Sequence, residues 1–285
     1  MNAPILVWVV ILLQSFAFSA AAQADETQEC VSFQWIPEAP HPCTITRMTR
    51  SEFDQRFGPA GLPPLYPEPL VVVDSARNLH FRNLTSQEHM LHNLPPDFDV
   101  TLSSSNSFSE HRRTIPLHQY ISETVQQQET LPTQLSNETW YLFGETYSPE
   151  WKRFLQDYQV PPCQACSRPD LVALAFGIGN RGSGVQWHVH GPGFSEAVVG
   201  RKHWVLYKDR PSFHPDQTSR NWMEYSYTQL EVGERPLECT LDVGDLVYFP
   251  DMWWHATINL DPYTAFVSTF TQEHTFVKEE KAMMW

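Results

Sequence analysis

From Leu171 onward the hydrophobic positions come in short bursts. The segments "LVALAFGIGN", "GVQWHVH", "EAVVG", "KHWVLYKD", "LECTLDV", "DLVYFP", "WHATINL" and "AFVSTF" follow in quick succession. Each is rich in β-branched or aromatic residues, and Gly, Pro or Asp separates it from the next, which is the signature of strands rather than helices. Segments this short and this numerous predict a mainly β fold, a double-sheet barrel or jelly roll.

The first half of the chain is patterned differently. Spaced apolar residues from Thr44 to Phe57, with Ser51 as a capping residue, predict a short helix. A buried strand is expected at Leu70 to Val73, after the "GPAGLPPLYPEP" punctuation, and another in "FDVTLSSSN". "PLHQYISETVQQQ" places Leu117, Tyr120, Ile121 and Val125 on one helical face, and "WYLFGE" reads as a short strand. No linker separates the halves. The expected organisation is a region 25–135 of helices and strands packed on a core at 136–275, with a tail at 276–285.

Composition narrows this picture. Hydrophobic residues make up 41% and charged residues 18%, enough for a proper core. The net charge of −14 repels phosphate backbones, so nucleic acid is not an expected partner. The apolar run Ile5–Leu13 is too short for a membrane span, and Ala22-Gln23-Ala24 fits an A-x-A cleavage site. Residues 1–24 are therefore expected to be a signal peptide, and no span is expected in the mature chain. Entry to the secretory pathway makes Asn83 and Asn137, each in an N-x-T sequon, N-glycan acceptors on the surface.

It also makes Cys30, Cys43, Cys163, Cys166 and Cys239 disulfide candidates whose pairing the sequence leaves open. Cys163-Gln-Ala-Cys166 reads as a redox pair, a small local disulfide or two unrelated thiols. The lack of a thioredoxin-like strand–helix unit around it favours the latter two.

The chemistry concentrates in "QWHVHGPGFSE". Residues two apart on a strand share a face, so His188 and His190 project together. His255 follows in "GDLVYFPDMWWHATIN", and a barrel brings distant strands face to face. Three imidazoles suit iron, zinc, copper or nickel. His89, His92, His111, His118 and His214 lack such a setting and read as surface residues. Trp187, Trp253 and Trp254 read as core packing with satisfied indole N–H groups.

"GDLVYFPDMWWHATIN" resembles the second cupin signature, G-x5-P-x-G-x2-H-x3-N, at Gly244, Pro250, His255 and Asn259, with Met252 in place of the second glycine. "SGVQWHVHGPGFSEAVVGRKHWVLY" together with "YFPDMWWHATINL" resembles the jumonji-C (JmjC) branch of the cupin superfamily. The resemblance implies a double-stranded β-helix with flanking helices, an Fe(II) site and a 2-oxoglutarate site. It places His188, His190 and His255 on the metal as the catalytic centre and Lys202, in the setting Gly200-Arg201-Lys202, on the co-substrate. It also implies the lumen of the endoplasmic reticulum, with secretion as the alternative because "EEKAMMW" is not a KDEL-type signal.

The departures from that branch divide the functional reading. His190 stands where most JmjC oxygenases carry an aspartate, which leaves an Fe(II) site one positive charge richer. Val185 stands where many relatives place a threonine that touches the co-substrate. Glu196 is a conceivable substitute for the lost carboxylate, but it lies beyond the Gly191-Pro192-Gly193 turn. Asn259, on the face of His255, is expected either to orient a ligand or to satisfy backbone groups. Two functions follow. One is an Fe(II)/2-oxoglutarate-dependent dioxygenase that hydroxylates secretory-pathway proteins. The other is a non-catalytic pseudo-enzyme that binds luminal partner proteins as a regulator.

Overall fold

The computed structural model describes residues 41–104, 112–125, 140–144, 146–212 and 217–271. The expected signal peptide, Cys30, His111, Asn137, His214 and the tail 276–285 lie outside the described residues.

Alternating segments such as Asp99–Ser104 and continuously buried ones such as Trp254–Asn259 form twelve strands among the described residues. Those of the first half are β1 (Thr46–Thr49), β2 (Leu70–Val73), β3 (Asp99–Ser104), β4 (Arg112–Pro116) and β5 (Trp140–Phe143). The second half supplies β6 (Val172–Gly179), β7 (Gly193–Val199), β8 (Lys202–Tyr207), β9 (Leu237–Leu241), β10 (Leu246–Phe249), β11 (Trp254–Asn259) and β12 (Thr264–Thr271). A nine-stranded sheet runs β1-β2-β10-β7-β12-β6-β5-β3-β4, and a three-stranded sheet runs β11-β8-β9. The two sheets face each other as the jelly roll that the segment pattern predicts. The first-half strands do not form a separate sheet. They extend the large one at both edges, β2 pairing with β10 and β5 with β6.

The helices differ from expectation in detail. Of the expected helix Thr44–Phe57 only Arg50–Phe57 is helical, as α1, and β1 precedes it. Thr49, not Ser51, caps it, through a reciprocal pair of hydrogen bonds with Glu52. α2 (Leu79–Leu84) and α3 (Gln87–Asn93) follow β2. α4 (Leu117–Gln119) continues as a π-helical turn, Tyr120–Val125, and buries the expected Leu117, Tyr120, Ile121 and Val125. α5 (Pro149–Leu155) carries Pro at its first turn and a Ser148 cap. Among the described residues no helix is long and apolar enough to cross a membrane.

Two disulfides close the described cysteines. Cys43–Cys239 ties the chain before β1 to β9 across 196 residues, and Cys163–Cys166 joins near neighbours in the loop after α5. Asn83 is exposed on α2, while Thr85 of the same sequon is buried.

Candidate metal centre

The segment 184–190 carries two of the three histidines, and it is not the regular strand that its sequence predicts. It runs extended beside β11 and pairs with it only at His188–His255, where each backbone N–H donates to the other's carbonyl at 3.0 Å. Further back, Thr257 N donates to Val185 O and Asn259 N to Ser183 O, a register slipped by one residue. The slip is a bulge at Gln186–Trp187. Gly184 permits the close approach, since a Cβ there would sit 1.9 Å from Thr257 O. Beyond the bulge, His188 and His190 turn into the barrel together.

One ring nitrogen from each of His188, His190 and His255 lies within 4.8 Å of the others. Their Nδ1 atoms are all engaged by backbone carbonyls: His188 with Gln186 O at 2.7 Å, His190 with Gly191 O at 2.7 Å and His255 with Trp253 O at 2.9 Å. A carbonyl only accepts, so each Nδ1 carries the proton and each Nε2 presents a lone pair. The Nε2 atoms of His255 and His190 stand 3.2 Å apart. Two lone pairs at that separation repel unless a cation lies between them. Charging the rings instead is unfavourable. Burial, with His190 adding to it, drives His188 down to about 3. Burial also lowers His190, and it lowers His255 further with help from both neighbours. Three neutral, pre-oriented imidazoles with second-sphere backbone bonds are the donor set of a first-row metal. The residues fit a metal ion.

Register then fixes the surroundings. β11 presents His255, Thr257 and Asn259 to the interior, and antiparallel pairing sets Asn259 opposite Lys202 and Thr257 opposite Trp204. Lys202 is buried, donates from Nζ to Asn259 Oδ1 at 2.9 Å and lies 3.9 Å over the Phe266 ring. No described carboxylate pairs with it, and burial alone pulls it down to about 7. Asn259 is itself held by its donation to Ser183 Oγ at 3.0 Å, so it steadies Lys202 instead of reaching the metal. Two groups that the sequence did not single out belong here. Thr257 Oγ1 accepts from Val185 N at 3.1 Å. The hydroxyl of Tyr141, packed with Val185 and Phe266, is buried with no hydrogen-bond partner among the described residues.

The cation and the orphan hydroxyl suit the distal carboxylate of 2-oxoglutarate; the volume does not. Phe143, Trp204, Phe249, Phe266 and Phe270 fill the space beside the histidines and leave about 10 Å³, room for one water. A five-carbon dicarboxylate does not enter this arrangement of side chains.

Glu196 does not replace the missing aspartate. Strand alternation sends Ser195 inward, where it meets Ser268, and Glu196 outward. There its carboxylate accepts from Arg77 Nε at 2.8 Å, Asn78 Nδ2 at 2.9 Å and the Tyr158 hydroxyl at 2.9 Å. The tryptophans pack as expected: Trp187 and Trp254 lie in one apolar cluster with Trp222, and Trp253 lies in another. The indole N–H of Trp187, contrary to expectation, is buried without a hydrogen-bond partner among the described residues. His92 and His118 are exposed and His89 partly so.

A family profile described as "Cupin-like domain" matches residues 68–274. JmjC domain-containing protein 8 of Mus musculus is 39% identical over 233 residues, covering 80% of this chain and 82% of the relative. The Homo sapiens protein of the same name is 37% identical over 247 residues, covering 83% and 89%. More distantly, Lysine-specific demethylase JMJ21 of Arabidopsis thaliana is 29% identical over 175 residues, covering 51% of this chain and 18% of that protein. The three-histidine barrel thus sits in a chain that belongs to the JmjC-type cupin-like family.

Proposed function

We propose that this protein is a luminal, metal-holding JmjC-type cupin that has left 2-oxoglutarate oxidation and acts by binding partner proteins of the secretory pathway. The observation that carries the reading is the filled cavity: five aromatic rings close on neutral imidazoles and leave about 10 Å³. His190 in place of a carboxylate and Val185 in place of a hydroxyl donor support it. A bound metal supplies the charge that the three Nε2 lone pairs lack, and His188, His190 and His255 would hold it. Iron is the metal that the family implies. The signal-peptide pattern and two disulfides support the lumen of the endoplasmic reticulum as the compartment.

A second reading, an Fe(II)/2-oxoglutarate-dependent protein hydroxylase, is favoured by Lys202. A buried cation with no carboxylate partner among the described residues is costly and suits an anionic ligand. Oxygenation would then require Phe266 and its neighbours to swing aside.

One experiment separates the two. Protein purified from a secretory host is assayed for metal content and for succinate release from 2-oxoglutarate, alongside His188→Ala/His255→Ala and His190→Asp. The proposal expects bound metal, its loss in the double variant and no turnover above background in wild type or His190→Asp. Metal-dependent succinate release by the wild type would overturn it.

A further inference from the structure

The loop after α5 carries chemistry that the histidine centre does not use. Cys163 and Cys166 form a disulfide on the floor of an open groove of about 540 Å³. The groove lies where the loop after α1 meets the loop after α5, joined by Leu62 N donating to Pro162 O at 3.0 Å and Gln164 N donating to Leu62 O at 2.9 Å. Gly61 makes that crossing possible. Its φ is +74°, and a Cβ there would sit 2.2 Å from Pro162 O. The loop cannot lift away without breaking this contact, so the disulfide is presented on a fixed frame.

Three observations separate this pair from a structural staple. It spans only three residues of sequence, so it removes little freedom from the unfolded chain, unlike Cys43–Cys239 across 196. The Cys166 backbone N–H donates to Cys163 Sγ at 3.0 Å, a bond that strengthens when that sulfur becomes a thiolate. And both cysteines line a groove large enough for a chain segment, with exposed Pro59, Ala60 and Val160 among its other lining residues.

We propose that Cys163–Cys166 is a thiol–disulfide exchange site for an extended, uncharged polypeptide segment that carries a cysteine pair. Among the described residues the lining contains no charged side chain, so the carboxylates of a small thiol such as glutathione find no cation there. An apolar strand of polypeptide loses no ionic hydration on entering it. The exchange balances without a further reagent. A partner thiolate attacks Cys163 Sγ and forms a mixed disulfide. The Cys163–Cys166 bond breaks, and Cys166 leaves as a thiolate that takes up a proton. The partner's second thiolate then attacks the partner sulfur of the mixed disulfide, and Cys163 leaves as a thiolate stabilised by the Cys166 N–H. The partner dithiol has given up two electrons and two protons to become a disulfide, and the Cys163–Cys166 pair is reduced.

The test uses the full chain carrying Cys30→Ser, so that only the two described disulfides remain. The probe is a neutral, apolar peptide with two cysteines. Quenching, alkylation and mass spectrometry follow peptide oxidation and the state of each protein cysteine. The expected result is peptide oxidation about tenfold faster than with Cys163→Ala/Cys166→Ala, with Cys43–Cys239 intact. Cys166→Ala leaves Cys163 as a free thiol, so offered the same peptide in its disulfide form it should accumulate a mixed disulfide on Cys163, with the peptide's other sulfur released as a thiol. Val160→Glu, at the exposed rim, should slow the neutral peptide several-fold and spare a lysine-bearing one. It carries the test alone if the cysteine variants do not fold. Oxidation no faster than with the double variant, adducts on Cys43 or Cys239, or indifference to Val160→Glu would each overturn the proposal. Metal content, read in parallel, is unaffected either way.

Discussion

The two faces of β7 show how differently one strand can bury charge. Outward, the Glu196 carboxylate is fully enclosed and saturated by Arg77, Asn78 and Tyr158. Burial pushes Glu196 up, against the pull of its partners. Burial also works against the Arg77 cation, but Tyr158 and Glu196 outweigh it and push Arg77 up. Inward, on the side of Ser195, lie three neutral imidazoles and Lys202; Asp251 acts on His190 electrostatically, and no described carboxylate pairs with Lys202. The outer cluster is complete as it stands: it pins the loop before α2 and the loop after α5 onto the barrel. The inner one has donors and a cation without counterparts. A protein tolerates that where a ligand completes the set.

Breaking the outer pair should have the largest effect. Arg77→Met leaves the Glu196 carboxylate enclosed without its cation, and urea denaturation should show a loss of about 3–5 kcal/mol. Arg77→Met combined with Glu196→Leu should recover most of that loss, because the cost lies in the orphaned charge and not in the missing attraction. A combined variant as unstable as the single one would mean that the cluster is held by Asn78 and Tyr158 and not by charge compensation.

Completing the inner set should come next. A divalent first-row metal at a hundredfold excess over its dissociation constant should raise unfolding stability by about 2.7 kcal/mol, since only the folded chain assembles the three nitrogens. His255→Ala should abolish the gain. An equal gain in that variant would place the metal elsewhere.

Much of this contrast was legible in the sequence, for a physical reason. The i, i+2 spacing of His188 and His190 and the Gly244–Asn259 pattern are local, and local geometry survives being read one residue at a time. The bulge at Gln186–Trp187 was not legible, because it depends on Gly184 meeting the backbone of Thr257. The role of Glu196 was not legible either. Its partners Arg77 and Asn78 stand 119 and 118 residues away, and nothing in "RNLH" marks an enclosed cation. The aromatic filling of the cavity comes from β5, β8, β10 and β12 at once, which periodicity along any single strand does not reveal. The disulfide pairing likewise follows from the fold, since Cys43 meets β9 only once the small sheet has formed.

Lys202 sharpens the comparison by reversing its sign. Lys202→Met removes a buried cation that has no carboxylate partner among the described residues, while keeping much of the side-chain volume over Phe266. Metal-free protein should gain about 1–2 kcal/mol in denaturant unfolding, where Arg77→Met loses. If Lys202→Met is destabilising, the bond to Asn259 and the contact with Phe266 outweigh desolvation, and the cavity is completed without an anion.

The smallest effect is expected at the turn that delivers His255. Met252 has φ +61°, left-handed for a side chain with a Cβ, at the position where the cupin signature has glycine. Its N–H donates to His190 O at 3.1 Å, so the strained residue ties the 184–190 segment to the turn before β11. Met252→Gly relieves strain of about 1–2 kcal/mol but returns about 0.5–1 kcal/mol of backbone freedom to the unfolded chain. The net gain should be under about 1 kcal/mol, visible as a small rise in thermal midpoint. Metal affinity gives the finer measure. If the strain serves to hold His190 against His255, the glycine variant should bind metal more weakly despite its greater stability. Unchanged affinity would mean that the carbonyl bonds to the three Nδ1 atoms suffice to set the inner face.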